Sequence, residues 1–517
     1  MTQMNGAEAL VRSLLASDVD VCFTNPGTSE MHFVAALDQV PGMRCVLALF
    51  EGVATGAADG YWRIARKPSS TLLHLGPGLA NGLANLHNAK KAGSGVVNIV
   101  GEHAASHIEL DAPLASDIAG VAAPMSHWVH TATAPETVGQ DGANAVAVAA
   151  SSGGQIATLI LPGDVAWTDG GQVAERVMLA ALPPPDPEAV IAAAQALGPE
   201  TLLLLGRDAL DGDTLALAGQ VAAKTGCHLM AEWANGRMER GAGRVNIPRV
   251  PYPIDQALEV LKPYRRVVLC GAVAPIGFFA YPGKPARLTA PGAEILTLAH
   301  AQHNARAALE ALVAETGSAS AKAEVSSRSV IQAVSEAPLS AETLPPVLAA
   351  AIPENAIVVD ESVTTGRLFA GATAQAAPHT WLSNCGGSIG YGLPASIGAA
   401  IAAPDRPVFA LIGDGSAMYT PQALWTLARE DLDVTVVIWA NHSYHILRGE
   451  LTNVGVANPG PRAIDMLTLD RPKINWCDMA RSMGVPAQQV STTTELEHAF
   501  AAATSSKGPS LIEATVL

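Results

Sequence analysis

The sequence predicts an α/β protein of three domains, each built on a parallel sheet covered by helices. Three observations carry that reading: short apolar runs alternate with Ala- and Leu-rich stretches, two polar or proline-rich breaks interrupt them, and the chain is 517 residues long. One ordinary hydrophobic core does not grow to that size, so three domains of ordinary size are the natural division. The runs have the length of buried strands, and the stretches between them are long enough for a helix crossing back over the sheet.

In chain order, the first third holds VCFTNP from Val21, CVLALF from Cys45, TLLHLG from Thr71, GVVNIVG from Gly95 and IATLILP from Ile156. The middle third holds TLLLLG from Thr201 and RVVLCG from Arg266. The last third holds AIVVDE from Ala356, VFALIGDG from Val408 and VTVVIWAN from Val434. The breaks are Leu182–Glu188 (LPPPDPE) and a Ser-, Ala- and Glu-rich stretch from Thr316 to about Pro338. They set expected domains of 1–182, 189–315 and 339–517. No sequence repeat relates the thirds.

Hydrophobic residues make up 49% of the chain and charged residues 15%, so most segments are expected inside cores or subunit contacts, and an oligomer is expected. Lys and Arg number 31 against 47 acids, a net charge of −16 without a basic run, which speaks against nucleic acid and anionic membranes as partners. The six cysteines are scattered without a CxxC pair, which fits a reducing cytoplasm better than a disulfide framework or a zinc site. The first twenty residues lack a basic segment followed by an apolar one, so no secretory leader is expected. The small-residue stretch 386–403 is too short and too broken by Gly and Pro to span a bilayer.

Chemistry concentrates in Val408–Leu447. A strand runs into Gly413-Asp414-Gly415-Ser416, and 25 residues lie between Gly415 and Asn441, enough for one helix and one strand. If those strands are parallel neighbours, the Asp414 carboxylate and the Asn441 amide oxygen meet at the sheet's C-terminal edge, where ligands collect in open α/β sheets. A carboxylate, an amide oxygen and a backbone carbonyl suit a hard cation that also holds phosphates. Gly415 and Ser416 would open a helix whose free N–H groups favour phosphate oxygens. Alone, Gly-Asp-Gly is as easily a tight turn after a buried strand. A second constellation, Phe50-Glu51-Gly52, opens FEGVATGAADGYWR with one acid among apolar neighbours; by itself that acid could simply answer a helix dipole. A third is the glycine-rich NCGGSIGYGLP from Asn384.

Together these segments resemble the thiamine diphosphate-dependent enzymes, in the branch of benzoylformate decarboxylase and the acetolactate synthases, over nearly the whole chain. The resemblance implies two thiamine diphosphate-binding parallel-sheet domains flanking a Rossmann-like middle domain. It places Mg²⁺ on Asp414, the Asn441 side chain and the Ser443 carbonyl, with Gly415, Ser416, Tyr444 and His445 along the diphosphate. Glu51 would hydrogen-bond the pyrimidine ring and pass the proton that activates the thiazolium. Ile389 would fold the two rings together, and the Gly387 carbonyl and Ile389 N–H would hold the pyrimidine edge.

Within the branch, Asn25-Pro26-Gly27-Thr28 resembles the decarboxylase loop that meets the substrate carboxylate, which assigns Asn25, Gly27 and Thr28 to substrate and Thr28 to catalysis. His74 falls where that enzyme has an active-site histidine, and Thr364, in DESVTT from Asp360, falls near the diphosphate. Two departures follow: a second active-site histidine is replaced by Ala280, and the aromatic side of the pocket is replaced by Ile446 and Glu450. The Gly101-Glu102-His103 stretch replaces the Gly-Gln of acetolactate synthases. His103, His107 and His445 have an equally good reading as hydrogen-bonded structural histidines. The middle third lacks GxGxxG and a flavin loop, so FAD is not expected.

The resemblance therefore implies a 2-oxo acid decarboxylase able to join carbons as well, with an acetolactate synthase-like transferase as the alternative. It also implies a homodimer or homotetramer whose subunits share each active site. An NAD oxidoreductase would leave Glu51, Asp414 and Asn441 without a role.

Overall fold

The structure, a computed structural model, describes residues 4–329 and 335–517; residues 330–334, inside the second predicted break, lie outside the described residues. The first sheet holds β1 (Val21–Asn25), β2 (Arg44–Leu47), β3 (Ser69–Leu73), β4 (Val96–Glu102), β5 (Trp128–Thr131) and β6 (Ile156–Pro162). Their order is β2-β1-β3-β4-β6-β5 and every pairing is parallel. Every residue of β3, β4 and β6 is buried, as strands covered on both faces require. Helices Gly6–Ala16 and Val138–Ala150 cover one face, and Glu51–Ala65 and Leu75–Ala92 cover the other.

The middle of the chain supplies β7 (Thr201–Leu205), β8 (His228–Ala231), β9 (Arg237–Arg240), β10 (Arg266–Cys270) and β11 (Glu294–Ala299). Four of them form a parallel sheet in the order β11-β10-β7-β8. The last part holds β12 (Ile357–Glu361), β13 (His379–Ser383), β14 (Val408–Gly413), β15 (Val434–Ala440), β16 (Ala487–Val490) and β17 (Ser510–Thr515), ordered β16-β17-β15-β14-β12-β13-β9. Here the structure departs from wholly parallel sheets: β9 leaves the middle sheet and pairs antiparallel with β13, His379 opposite Arg240. An edge position tolerates the charged sequence of β9 because only one side of the strand is paired.

A second departure lies after β14. The single helix expected there is split into a turn at Asp414–Ala417 and a helix at Ala423–Arg429. Pro421 lies between them and cannot continue an α-helix from the preceding turn. Among the described residues no helix is long and apolar enough to cross a membrane.

The first and last sheets share one core. Helix Glu51–Ala65 lies against helix Gly392–Ala402, and Val53, Ala54, Ala57 and Tyr61 pack with Leu393, Ala395, Ile397 and Ala399. The backbones approach closely only because Gly60 and Gly398 sit at the crossing, where an added Cβ would overlap the carbonyls of Ala395 and Ala57.

Arg63 locks the seam. Its Nε and Nη2 donate to both oxygens of Asp59 at 2.8 and 2.7 Å, and Nη1 donates to the Ser383 carbonyl, the Tyr391 hydroxyl and the Gly236 carbonyl at 2.6, 2.8 and 3.2 Å. Ser94 Oγ also donates to Asp59. Asp59 is fully buried, so Arg63→Ala leaves its carboxylate without a counter-charge. We expect that variant to lose about 3–5 kcal/mol in urea unfolding; a loss below about 1 kcal/mol would show that the pair does not hold the seam.

Candidate active site

In the first sheet, β1 delivers Asn25 to its C-terminal edge and the chain turns through Pro26 and Gly27 into a short helix at Thr28–Glu30. At the edge of neighbouring β3, His74 precedes helix Leu75–Ala92. A Cβ on Gly27 would overlap the His74 ring, so glycine is what leaves that ring where it stands. Between them lies a residue that the sequence reading missed, Glu30, which is 2% exposed. Its Oε2 accepts the Gly27 N–H at 2.7 Å and lies 2.8 Å from His74 Nδ1, while Oε1 accepts the Ser29 hydroxyl at 2.9 Å. The only signal for it was an acid three residues after Gly27, indistinguishable in sequence from a helix-capping charge.

Glu51 is the first residue of its helix and 6% exposed. Its Oε2 accepts from Asn81 Nδ2 at 3.0 Å, and an added Cβ at Gly78 would lie 3.2 Å from both Glu51 Oε1 and His74 Cβ. The structure thus brings Gly27, Glu30, Glu51 and His74 to one corner of the first sheet. Thr28, in the turn beside Gly27, is exposed, and no side-chain hydrogen bond engages it among the described residues.

At the last sheet, β14 and β15 are parallel neighbours as the spacing required, with Gly413 opposite Trp439. Asp414 and Asn441 therefore leave adjacent strands at the same edge. Asp414 Oδ1 accepts the Gly415 N–H at 2.8 Å and Oδ2 accepts the His442 N–H at 2.7 Å. Burial raises its carboxyl above the usual range and these donors pull it back. Asn441 Oδ1 accepts the Ser443 N–H at 3.0 Å, which folds the Asn441–Tyr444 loop over Asp414. The Tyr444 ring lies where a Cβ on Gly415 would fall, 2.5 Å from Cε1. Ser416 is buried beside them, whereas His445 is exposed at the start of helix His445–Asn453, which also carries Ile446.

The glycine-rich segment is held by a second acid that the sequence reading passed over. Glu361, at the end of β12, accepts the N–H groups of Gly390, Tyr391 and Gly392 at 3.0, 3.2 and 2.8 Å and Asn384 Nδ2 at 3.2 Å. Burial pushes its carboxyl up to about 7 in spite of four donors. Ile389 is thereby fixed between anchored neighbours, and the Gly390 carbonyl accepts from both Thr420 Oγ1 and Asn85 Nδ2. Gly387, at φ +76°, has the Phe278 ring where its Cβ would be.

Of the ten non-glycine residues with positive φ among the described residues, three fall at these places: Leu75 (46°), Val363 (51°) and His442 (53°). They adjoin His74, Thr364 and Asn441 respectively. Left-handed backbone at a branched or bulky residue is strained and gathers where structure serves a site. No hydrogen bond among the described residues links Glu51 to Asp414, Asn441 or Ser443; within the chain the two halves are joined through Asn85, whose Nδ2 donates to the Gly52 and Gly390 carbonyls at 2.8 and 3.2 Å. His103 departs from the hydrogen-bonded reading: its ring lies tilted against that of His107 at 5.3 Å, and its Nε2 is enclosed with no hydrogen-bond partner among the described residues.

The donor set at the last sheet is all oxygen with one carboxylate, which fits a hard divalent ion shared with phosphates. Among the described residues no cluster of three or more His, Cys, Asp or Glu could hold a metal by itself. The enclosed Glu51 and the anchored Ile389 segment fit a flat heteroaromatic ring with an edge to be hydrogen-bonded.

Comparison with known proteins agrees. The profile of the thiamine pyrophosphate enzyme N-terminal TPP binding domain matches residues 4–125, and that of the C-terminal TPP binding domain matches residues 365–514. The chain is 49% identical, over 99% of both chains, to a Mycobacterium tuberculosis (strain ATCC 25618 / H37Rv) protein carrying the provisional name acetolactate synthase large subunit IlvX. It is 29% identical, over 95% of both chains, to benzoylformate decarboxylase of Pseudomonas aeruginosa. A solved 4-hydroxybenzoylformate decarboxylase from Rhodococcus jostii RHA1 superposes with a TM-score of 0.83 at 23% identity, covering 99% of each chain, which shows a common fold. With both binding domains matched and a full-length relative at that identity, the chain belongs to the thiamine pyrophosphate enzyme family.

Proposed function

We propose that the protein is a Mg²⁺-dependent 2-oxo acid decarboxylase that also has carboligase capacity. The observation that carries this reading is His74, held by Glu30 beside the Asn25–Thr28 turn and next to Glu51. When bound, thiamine diphosphate supplies the carbon nucleophile and the electron sink. Asp414, Asn441 and the Ser443 carbonyl would hold the metal, and Gly415, Ser416, Thr364, Tyr444 and His445 the diphosphate. Glu51 holds and passes a proton at the pyrimidine ring. Asn25, Gly27 and Thr28 orient the substrate carboxylate. Glu30 fixes the His74 ring through Nδ1, which leaves Nε2 to deliver the proton that replaces CO₂ as the aldehyde forms.

The proposed domains are 1–182, 189–315 and 339–517, and the proposed assembly is a homodimer or homotetramer in the cytoplasm with each site shared between subunits. Exposed apolar side chains beside both halves support a shared site: Leu49 near Glu51, and Met418 and Tyr419 near Asp414 and Gly390. A second reading, an acetolactate synthase-type transferase, is favoured by the 49% identity to the Mycobacterium protein. CO₂ and product analysis on a panel of 2-oxo acids, with and without an acceptor aldehyde, separates the two: the decarboxylase yields free aldehyde without an acceptor. His74→Ala should slow CO₂ release by about 100-fold or more while proton exchange at the thiazolium C2 stays near normal. Loss of that exchange in His74→Ala would show that His74 serves cofactor activation and does not act on the bound substrate.

A further inference from the structure

The helix that follows the Asn441–Tyr444 loop carries Ile446 and Glu450 one turn apart, so both side chains share a face. Glu450 is half-buried, and its two hydrogen bonds come from neutral donors: Tyr281 Oη donates to Oε2 at 2.7 Å and Asn453 Nδ2 donates to Oε1 at 3.3 Å. Tyr252 lies close enough that the Glu450 charge adds to burial in raising its phenol, and Tyr281 is raised by burial and by its bond to Glu450. Arg367 acts on Tyr252 but forms no ion pair with Glu450. No salt bridge engages this carboxylate among the described residues.

Its surroundings lead back to the site. The Tyr252 ring lies 5.4 Å from the Phe278 ring, and Phe278 is the side chain against Gly387. Ala280 stands between Phe279 and Tyr281, so the segment that lacks a histidine supplies instead an aromatic wall and the phenol that steers Glu450. A carboxylate has about four acceptor positions, of which two are used. An apolar substrate end placed here would strip water from an unpaired charge, which is costly, whereas a cation would neutralise it. The Tyr252 and Phe278 rings, with centroids 5.4 Å apart, put aromatic surface near this carboxylate, a second attraction for a cation.

Resting on the decarboxylase reading above, we infer that Glu450 receives the far end of the substrate side chain and selects 2-oxo acids that terminate in a cation, a guanidinium or a quaternary ammonium. Ile446 and the aromatic wall take the aliphatic stem. Tyr281 positions the carboxylate and is not the selecting group.

The test uses the holoenzyme and kcat/KM for CO₂ release from the guanidino and trimethylammonio derivatives of 2-oxohexanoate, from 2-oxohexanoate itself, from 2-oxoglutarate and from benzoylformate. The cationic acids should lead 2-oxohexanoate by about 10- to 100-fold, as a hydrogen bond or ion pair to a charged group provides. The guanidino and trimethylammonio arms separate hydrogen bonding from charge alone. Glu450→Gln should collapse that ratio to near unity, while Tyr281→Phe, which keeps the charge, should preserve it. If Glu450 merely docks the middle of the chain onto the last sheet, both variants will depress all five substrates alike, and the inference falls. Preference for the neutral or acidic substrates in the wild type also overturns it. CO₂ from none of the five, with cofactor bound, overturns the decarboxylase reading and this inference with it.

Discussion

Glu51→Gln should bind thiamine diphosphate nearly as well as the wild type and lose about 10²–10⁴-fold in proton exchange at the thiazolium C2, the range for a positioned acid–base group. Glutamine is isosteric, and its oxygen can keep the 3.0 Å bond that Asn81 donates to Glu51 Oε2. The helix start at Phe50-Glu51 and the packing of Val53 and Ala54 stay in place, so lost exchange reports proton transfer and not disorder. Exchange followed by quenched-flow NMR, with cofactor occupancy measured beside it, decides the matter. Intact exchange in the variant would assign the activating proton elsewhere.

Asp414→Ala should instead lose the cofactor itself. The change removes the one carboxylate of the oxygen donor set and the acceptor for the Gly415 and His442 N–H groups, so the loop loses both its charge and its shape. Changes behind a ligand typically cost 10- to 100-fold in metal affinity, and loss of the ligand should exceed about 100-fold. Calorimetric binding with Mg²⁺ present, and again with excess chelator, measures it; undiminished binding in either case would refute metal-bridged binding. Combining this variant with Glu51→Gln tests the shared site. Each is inactive alone, but a mixed dimer has one site with both native residues, so random exchange should restore roughly a quarter of wild-type activity. No recovery after proven exchange would place both halves of a site in one subunit.

How far the sequence could be read depended on whether a feature is local. Apolar runs such as Thr201–Leu205 and Val434–Ala440 are buried along their whole length, and their composition announces it. Strand β16 (AQQV) and β9 (RMER) are edge strands with polar sequences, so neither shows an apolar run or a clean alternation. The same holds for the site. Asp414 and Asn441 follow strands whose spacing fixes their meeting, and Glu51 opens a helix with a recognisable pattern. Glu30 and Glu361 act on partners 44 and up to 31 residues away, and their burial follows only from how the strands stack. The split after Asp414–Ala417 was signalled by Pro421 and could have been read from the sequence.

The crossing of β9 into the last sheet has a consequence for how the chain is made. Arg240 donates to the Ala370 carbonyl, 130 residues further on, and its strand pairs with one made later still. At the usual pace of synthesis β9 leaves the ribosome on the order of 10 s before its partner exists. During that interval a strand with open hydrogen-bonding groups invites pairing with neighbouring nascent chains. Arg237, Glu239 and Arg240 make it a poor partner for an apolar edge while it waits, and the ion pair of Arg237 with Glu239 at 3.0 Å keeps part of that charge engaged on the strand afterwards. The polar sequence that hid β9 from a pattern search is thus the property that lets the nascent polypeptide carry it unpaired.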